Sequence, residues 1–262
     1  MDATTKLFVG VDIGGTRIKF GLLTEDGKVL SKRVCPVPES RESEQVIDLI
    51  VSQVKDLLKG TDENETWNVI QGVGVGCPGI IDFEQGILKR LANFPTWTQV
   101  PLKDILETKL GKPVYIENDA NTALLSELWT GAAGCRNLTN LDNVCMLTLG
   151  TGIGAAIIAN GTFLRGATGM AGEVGHCIIE PNGKRLSTST GVNGIFEEYA
   201  SARAIGNTAS KRLKTSLAEE SSLRKVMSSK GSVSAEDVFN AAKEGDAFGL
   251  AVYDEACDYI AV

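Results

Sequence analysis

The chain is short of positive charge: 26 Lys+Arg stand against 33 Asp+Glu, a net charge of −7. Phosphate backbones are held by clustered cations, so this balance argues against a nucleic-acid partner. No apolar run approaches the roughly 20 residues that cross a bilayer, so no membrane role is expected. The first residues, Met1 to Lys6, lack a basic region followed by an apolar stretch, which points away from secretion and toward a cytoplasmic location. No Cys-x-x-Cys pair occurs, so Cys35, Cys77, Cys135, Cys145, Cys177 and Cys257 read as buried free thiols of a reducing compartment. No Gly-Lys-Thr occurs either, which removes a Walker loop. With 262 residues, 43% hydrophobic and 23% charged, the chain has material for two ordinary globular domains.

What is abundant is glycine: 29 residues, clustered behind strand-like runs. Leu7 to Ile13 alternates, turns at Gly14-Gly15-Thr16 and returns through Ile18, Phe20 and Leu22, the signature of a β-hairpin. Val144 to Leu149, Gly150-Thr151-Gly152 and Ile153 to Ala159 repeat that form about 135 positions later, which suggests two similar α/β units in tandem. Gln45 to Leu58 carries a helical apolar stripe, Gly60 to Thr66 reads as a loop, and Val69 to Cys77 as a strand ending at Pro78-Gly79. Pro101 suits the first turn of a helix reaching Leu110. Val114 to Glu117 is a short strand, after which Asn118 or Asp119 caps a helix with Ala123, Leu124 and Leu128 inward. Further helices are expected over Gly194 to Leu213, over Ser234 to Ala242 behind a Ser-x-x-Asp cap, and from Ala247 onward. Thr215 to Ser232 reads as a mobile connection. The last helix is still apolar where the sequence stops, so it is expected to be cut off.

A phosphate chain needs backbone N–H groups at close range, and glycine lets the backbone approach without a Cβ in the way. Gly14, Gly15, Thr16, Gly150, Thr151 and Gly152 are therefore the candidate phosphate contacts, with the threonine hydroxyls as added donors. Asp12, at the mouth of the first turn, is placed to hold Mg²⁺ through water, because that ion keeps several of its waters.

Five segments then fall in a recognisable order. They are Asp12-Ile13-Gly14-Gly15-Thr16, Gly76-Cys77-Pro78-Gly79, Glu117-Asn118-Asp119-Ala120-Asn121, Leu149-Gly150-Thr151-Gly152-Ile153-Gly154 and Gly172-Glu173-Val174-Gly175-His176. Together they resemble the motifs of the ROK family (repressors, open reading frames and sugar kinases). The resemblance implies an actin/hexokinase-like α/β fold: two RNase-H-like domains around a central cleft, divided here as residues 1–118 and 119–262, the second C-terminally incomplete. It implies ATP and Mg²⁺, a small-molecule sugar, a homodimer, and transfer of the γ-phosphate to a 6-hydroxyl, glucokinase being the commonest activity. Asp119 then corresponds to the catalytic base, and Asn93, Asn118, Asp119, Glu173, His176 and Glu197 to sugar contacts. At a helix start the dipole keeps such a carboxylate ionised. Phosphoryl transfer tolerates a weak base, because much of its catalysis is positioning and charge neutralisation. Carboxylates and amides that pair with hydroxyls reject analogues lacking them.

The sequence departs from the family twice. Many members hold zinc with this histidine and three cysteines; here Thr188, Thr190 and Ile195 stand in the cysteine positions, so no zinc site is expected. A hydroxyl of Thr188 or Thr190, or a backbone carbonyl, is expected to orient His176 instead. The family's glycine-rich adenosine loop, beyond the last helix, has no counterpart. Two classes therefore stay open: a glucose kinase, with N-acetylmannosamine, N-acetylglucosamine or fructose as related substrates, and a non-catalytic sugar-binding protein. A DNA-binding repressor needs a helix-turn-helix before Leu7, which six residues do not supply.

Overall fold

The structure, a computed structural model, describes residues 6–91, 93–131, 141–183, 185–187, 190–215 and 220–261. Strand β1 (Leu7–Ile13) and strand β2 (Arg17–Thr24) form the expected hairpin, with Ile13 opposite Ile18. Leu7, Val9, Val11, Ile13, Ile18, Phe20 and Leu22 are all buried, so the period-2 pattern put one face of each strand in the core. Strand β3 (Val29–Pro36) adds an edge beside β2. Helix α1 (Ser43–Asp56) buries Val46, Ile47, Ile50 and Val54. The polar stretch expected as a loop instead contains helix α2 (Glu63–Val69). The Asp62 side chain accepts from the Glu65 N–H, and such a cap contributes about 1 kcal/mol to a helix end.

Strand β4 (Ile70–Cys77) runs parallel to β1. Strands β5 (Ile80–Asp82), β6 (Ile87–Leu91) and β7 (Phe94–Val100) form a small antiparallel sheet that the sequence reading did not resolve. Helix α3 (Leu102–Leu110) ends at a left-handed Gly111 and leads to strand β8 (Val114–Asn118) and helix α4 (Asp119–Trp129). The main sheet has the order β3-β2-β1-β4-β8, and β1, β4 and β8 are parallel. Strands β9 (Val144–Leu149), β10 (Ile153–Ala159) and β11 (Thr162–Phe163) form the sheet of the second glycine hairpin.

The later chain is helical. The single helix expected over Gly194 to Leu213 is two: α5 (Glu197–Ala200) and α6 (Ala202–Lys214). They part at Ser201, whose extended backbone lets its hydroxyl accept from the Ala204 N–H. The stretch expected as a mobile connection holds helix α7 (Leu223–Lys230), because Leu223, Val226 and Met227 meet a common apolar cluster. Residues 216–219 of that stretch lie outside the described residues. Helix α8 (Ala235–Lys243) has the expected Ser234/Asp237 capping box, and helix α9 (Ala247–Ala261) buries Val252 and Ala256.

The chain forms two compact units. One comprises residues 1–144 and 156–171, the other 145–155 and 172–262. The division expected after Asn118 falls between β8 and α4, both of which lie in the first unit. The thiols correct the sequence reading: Cys77 is buried and Cys35 partly so, whereas Cys145, Cys177 and Cys257 are exposed. Cys135 lies outside the described residues. No described helix is long and apolar enough to cross a membrane.

Candidate active site

In the first unit the parallel register sets the site. Asp12 on β1 pairs with Gly76 on β4, and Gly76 with Glu117 on β8. The three residues form one row at the carboxyl ends of parallel strands, where open α/β sheets take ligands. Gly76 lacks a side chain, so the row carries two carboxylates with a gap between them. A Cβ at Gly76 would stand 3.1 Å from the Thr122 hydroxyl. Asn118 closes β8 and caps α4: its side-chain oxygen accepts from the Ala120 and Asn121 N–H groups. Asp119 is the first helical residue, and its Oδ1 also accepts from the Ala120 N–H at 2.9 Å.

Burial pushes the Asp119 carboxyl up from its ordinary value, and the Asp12 charge adds to this against the hydrogen bonds from Ala120 and Asn118. A helix start by itself favours the ionised form; here desolvation outweighs those bonds and raises the carboxyl. Asp12 itself meets Lys19 Nζ through Oδ2 at 2.9 Å. At the β1–β2 tip, Gly14 N–H donates to the Arg17 carbonyl, and a Cβ on Gly15 would stand 2.5 Å from Asn93 Nδ2. Asn93 therefore lies against the expected phosphate turn. Its carbonyl accepts from Arg41 Nη1 at 2.6 Å, and the Arg41 carbonyl accepts from Trp97 Nε1.

The second unit holds the β9–β10 tip and the Gly172–His176 segment. Gly172 and Gly175 are explained by close approach: a Cβ on either would stand 2.2 Å from the carbonyl oxygen of Ala155 or Ile153 respectively. Ala155 N–H donates to the Gly172 carbonyl, which lashes the segment to β10. Val174 to His176 then form one 3₁₀ turn, with His176 Nε2 3.5 Å from Glu173 Oε2. Glu197 is buried at the start of α5, and a Cβ on Gly152 would stand 2.3 Å from its Oε2. Gly152 and Glu197 are thus brought together. Arg203 joins them, donating from Nε to the Thr151 carbonyl at 3.1 Å and lying 3.6 Å from Glu197 Oε1 and 2.8 Å from Glu198 Oε1.

The hydroxyl of Thr190 accepts from the Val192 N–H, and Thr188 lies outside the described residues. The described neighbour of the His176 ring is Glu173, a partner that the sequence reading did not assign. Arg165 and Arg203 were also missed. An arginine outside a glycine motif carries no local signal of what it will meet, although Glu117 stands inside a motif and marks where a cation is needed.

The donor chemistry of each glycine tip, taken by itself, fits phosphate oxygens, and that of Asp12 fits a hydrated Mg²⁺. Among the described residues the Gly15 and Thr16 amides have no partner, and a Cβ on Gly150 would meet no atom within 4 Å. Asp12 offers a hard oxygen, its Oδ1, of the kind a largely hydrated Mg²⁺ takes.

The chain is 37% identical over 253 residues to a glucokinase of Thermotoga maritima, covering 97% of this chain and 75% of that one. It is 36% identical to a glucokinase of Halalkalibacterium halodurans, covering 97% and 73%. A crystal structure of a ROK family glucokinase from Streptomyces griseus, in complex with glucose and AMPPNP, superposes with a TM-score of 0.78 at 31% identity, covering 97% of this chain and 76% of that one. The ROK family pattern itself matches residues 8–262. With paired glycine hairpins, the Asn118-Asp119 helix start and the Glu173/His176 turn all on one sequence that the pattern spans, the chain belongs to the ROK family.

Proposed function

We propose that this chain is an ATP-dependent sugar kinase that transfers the γ-phosphate to the 6-hydroxyl of glucose, with Asp119 as the base. The kinase class is supported by glucokinase relatives over 97% of the chain and by a related glucokinase crystallised with glucose and an ATP analogue. The observation that carries the finer reading is Asp119: a carboxyl raised by burial, at the carboxyl end of β8, oriented by the Asn118 cap.

In this reading Asp119 accepts the proton of the sugar hydroxyl as its oxygen bonds to the γ-phosphorus and ADP leaves. Asn93 and Asn118 in the first unit and Glu173, His176 and Glu197 in the second pair with the remaining hydroxyls. The Gly14-Gly15-Thr16 and Gly150-Thr151-Gly152 tips hold phosphate oxygens through N–H and hydroxyl groups. Asp12 would hold Mg²⁺ through water, and the ion would supply charge neutralisation at the phosphates.

The test is an ADP-release assay over glucose, mannose, fructose and the N-acetylhexosamines. Glucose-dependent ADP release with glucose 6-phosphate as product is expected. Asp119→Asn should lose about 10²–10⁴-fold in kcat, the range for a removed general base, while sugar affinity stays within about tenfold. Sugar binding without turnover in the parent identifies a sugar-binding protein instead. An Asp119→Asn variant that turns over normally removes the base assignment.

A further inference from the structure

We infer that Arg165 is a positioning residue: its ion pair with Glu117 fixes the end of β8 so that Asp119 enters α4 in one orientation. This rests on the reading of Asp119 as base. Arg165 follows β11, 48 positions beyond Glu117, and its Nη2 donates to Glu117 Oε2 at 2.5 Å. The guanidinium lies over two rings, 4.9 Å from the centroid of Phe83 and 5.5 Å from that of Phe163. The Glu117 side chain is only 17% exposed. An exposed pair of this kind contributes little and orders little. This one is shielded on the carboxylate side, so removing the cation leaves a charge that water reaches poorly.

The other carboxylate oxygen of Glu117 gives the pair its reach. Oε1 accepts from the Asn118 N–H and from Asn121 Nδ2, both at 2.9 Å. The first bond fixes the residue before Asp119. The second fixes the residue one place beyond Ala120, whose N–H binds Asp119 Oδ1. Asn118 closes the circuit by accepting from the Ala120 and Asn121 N–H groups. Asp119 is thus held between two residues that both answer to Glu117, and Glu117 answers to Arg165. A carboxylate left without its arginine will turn toward water, and the bonds to Asn118 and Asn121 turn with it. Arg165 acts only through Glu117, and Glu117 holds the backbone N–H of Asn118 while the Asn118 side chain is held by the Ala120 and Asn121 N–H groups, so loss of Arg165 should appear in the chemical step rather than in sugar binding.

The experiment compares Arg165→Met, Glu117→Gln and the double variant with the parent chain. It reads kcat, the KM values, sugar affinity by calorimetry and Tm. Arg165→Met should lower kcat by about 10- to 100-fold, the scale of a misplacement near 1 Å, with sugar affinity within about threefold. Adding Glu117→Gln should recover several-fold of that loss, because no unpaired carboxylate remains while an oxygen still accepts from Asn118 and Asn121. Parental kcat in Arg165→Met overturns the proposal. So does a loss that the double variant does not relieve, or one that sugar affinity follows in step. Should Arg165→Met fail to fold, Arg165→Lys, which keeps the charge, should retain kcat within about tenfold at unchanged sugar affinity; equal loss in both quantities overturns the proposal. Asp119→Asn, run alongside, separates the two claims. If it is inactive while Arg165→Met is parental, the positioning role alone falls. If it turns over normally, the base falls and the positioning role falls with it.

Discussion

Replacing Gly150 by alanine isolates the nucleotide reading from the stability of the protein. A Cβ there meets no atom within 4 Å, and Gly150 is not among the glycines with positive φ. The protein thus accommodates the methyl without moving. Gly→Ala at a compatible backbone conformation stabilises by about 0.4–1 kcal/mol, through fewer states of the unfolded chain. For a chain of this size that raises Tm by about 1–4 °C. The Gly150 N–H itself donates to the Gly152 carbonyl, and a phosphate held by the Thr151 and Gly152 amides has no such room beside Gly150. A methyl between backbone and phosphate pushes the nucleotide out by roughly 1 Å, a displacement that costs on the order of 10²-fold in rate. The expected result is a kcat/KM for ATP lowered about 10²-fold, at a Tm equal to or above the parent. Sugar affinity without nucleotide should stay within about twofold, since the assigned sugar contacts do not include Gly150. A coupled assay at varied ATP, with scanning calorimetry on the same samples, reads both. Parental ATP kinetics in Gly150→Ala would mean that the second tip does not approach the nucleotide. The comparison depends on position, because a Cβ on Gly14 would stand 2.8 Å from the Arg17 carbonyl and disturb the hairpin itself.

Two further outcomes follow from the same geometry. Asp119 titrates above its ordinary 3.8, chiefly because it is desolvated, so the folded state holds the proton more tightly than the unfolded one. Folding stability from this group therefore falls as pH rises through the interval from 3.8 to the raised folded value, and stays lower above it. Asp119→Asn should have a higher Tm than the parent at pH 7, the gain shrinking toward pH 4, while parental kcat/KM has an acid limb above 3.8; a lower Tm at pH 7 speaks against it. Gly175→Ala puts a Cβ 2.2 Å from the Ile153 carbonyl, so the 3₁₀ turn with Glu173 and His176 must lift from β10. Its KM for sugar should rise about 10²-fold with a smaller change in the KM for ATP; a parental KM for sugar would remove that turn from the sugar site.

The legible parts of this fold were those in which one residue's pattern decides the matter. Leu7, Val9, Val11 and Ile13 alternate because one face of β1 is core, and the Ser234/Asp237 cap marks α8 because its bonds are local. Helix α2 was hidden because a seven-residue helix offers no full apolar stripe, only the Asp62 cap and buried Thr66. Helix α7 was hidden because its polarity resembles a linker until Leu223, Val226 and Met227 are seen against the cluster with Val238 and Val252. The split at Ser201 was illegible because serine competes for the backbone only where its φ/ψ are extended, which depends on packing. At the site, the glycine motifs and Asn118-Asp119 were readable as sequence. The arginines were not, because Arg165 and Glu117 meet only after 48 residues have folded between them.

The distribution of cations around the carboxylates makes a chemical argument of its own. Lys19 faces Asp12, Arg165 faces Glu117, and Arg203 faces Glu197 and Glu198. The forces on Asp119 are different: burial first, then bonds from its own helix turn and the charge of Asp12, with no cation among them. Desolvation and a like charge raise the proton affinity of a carboxylate. In the proposed reaction, the group that takes a proton from a sugar hydroxyl must be a carboxylate of this kind. Asp12, Glu117, Glu197 and Glu198 each have a cation within ion-pair reach. Asp119, which makes no ion pair among the described residues, sits between the Asn118 cap and the Glu117 bonds. On the proposed reading, orientation and proton affinity come from separate groups, so loss of Arg165 and loss of Asp119 should be distinguishable in kcat.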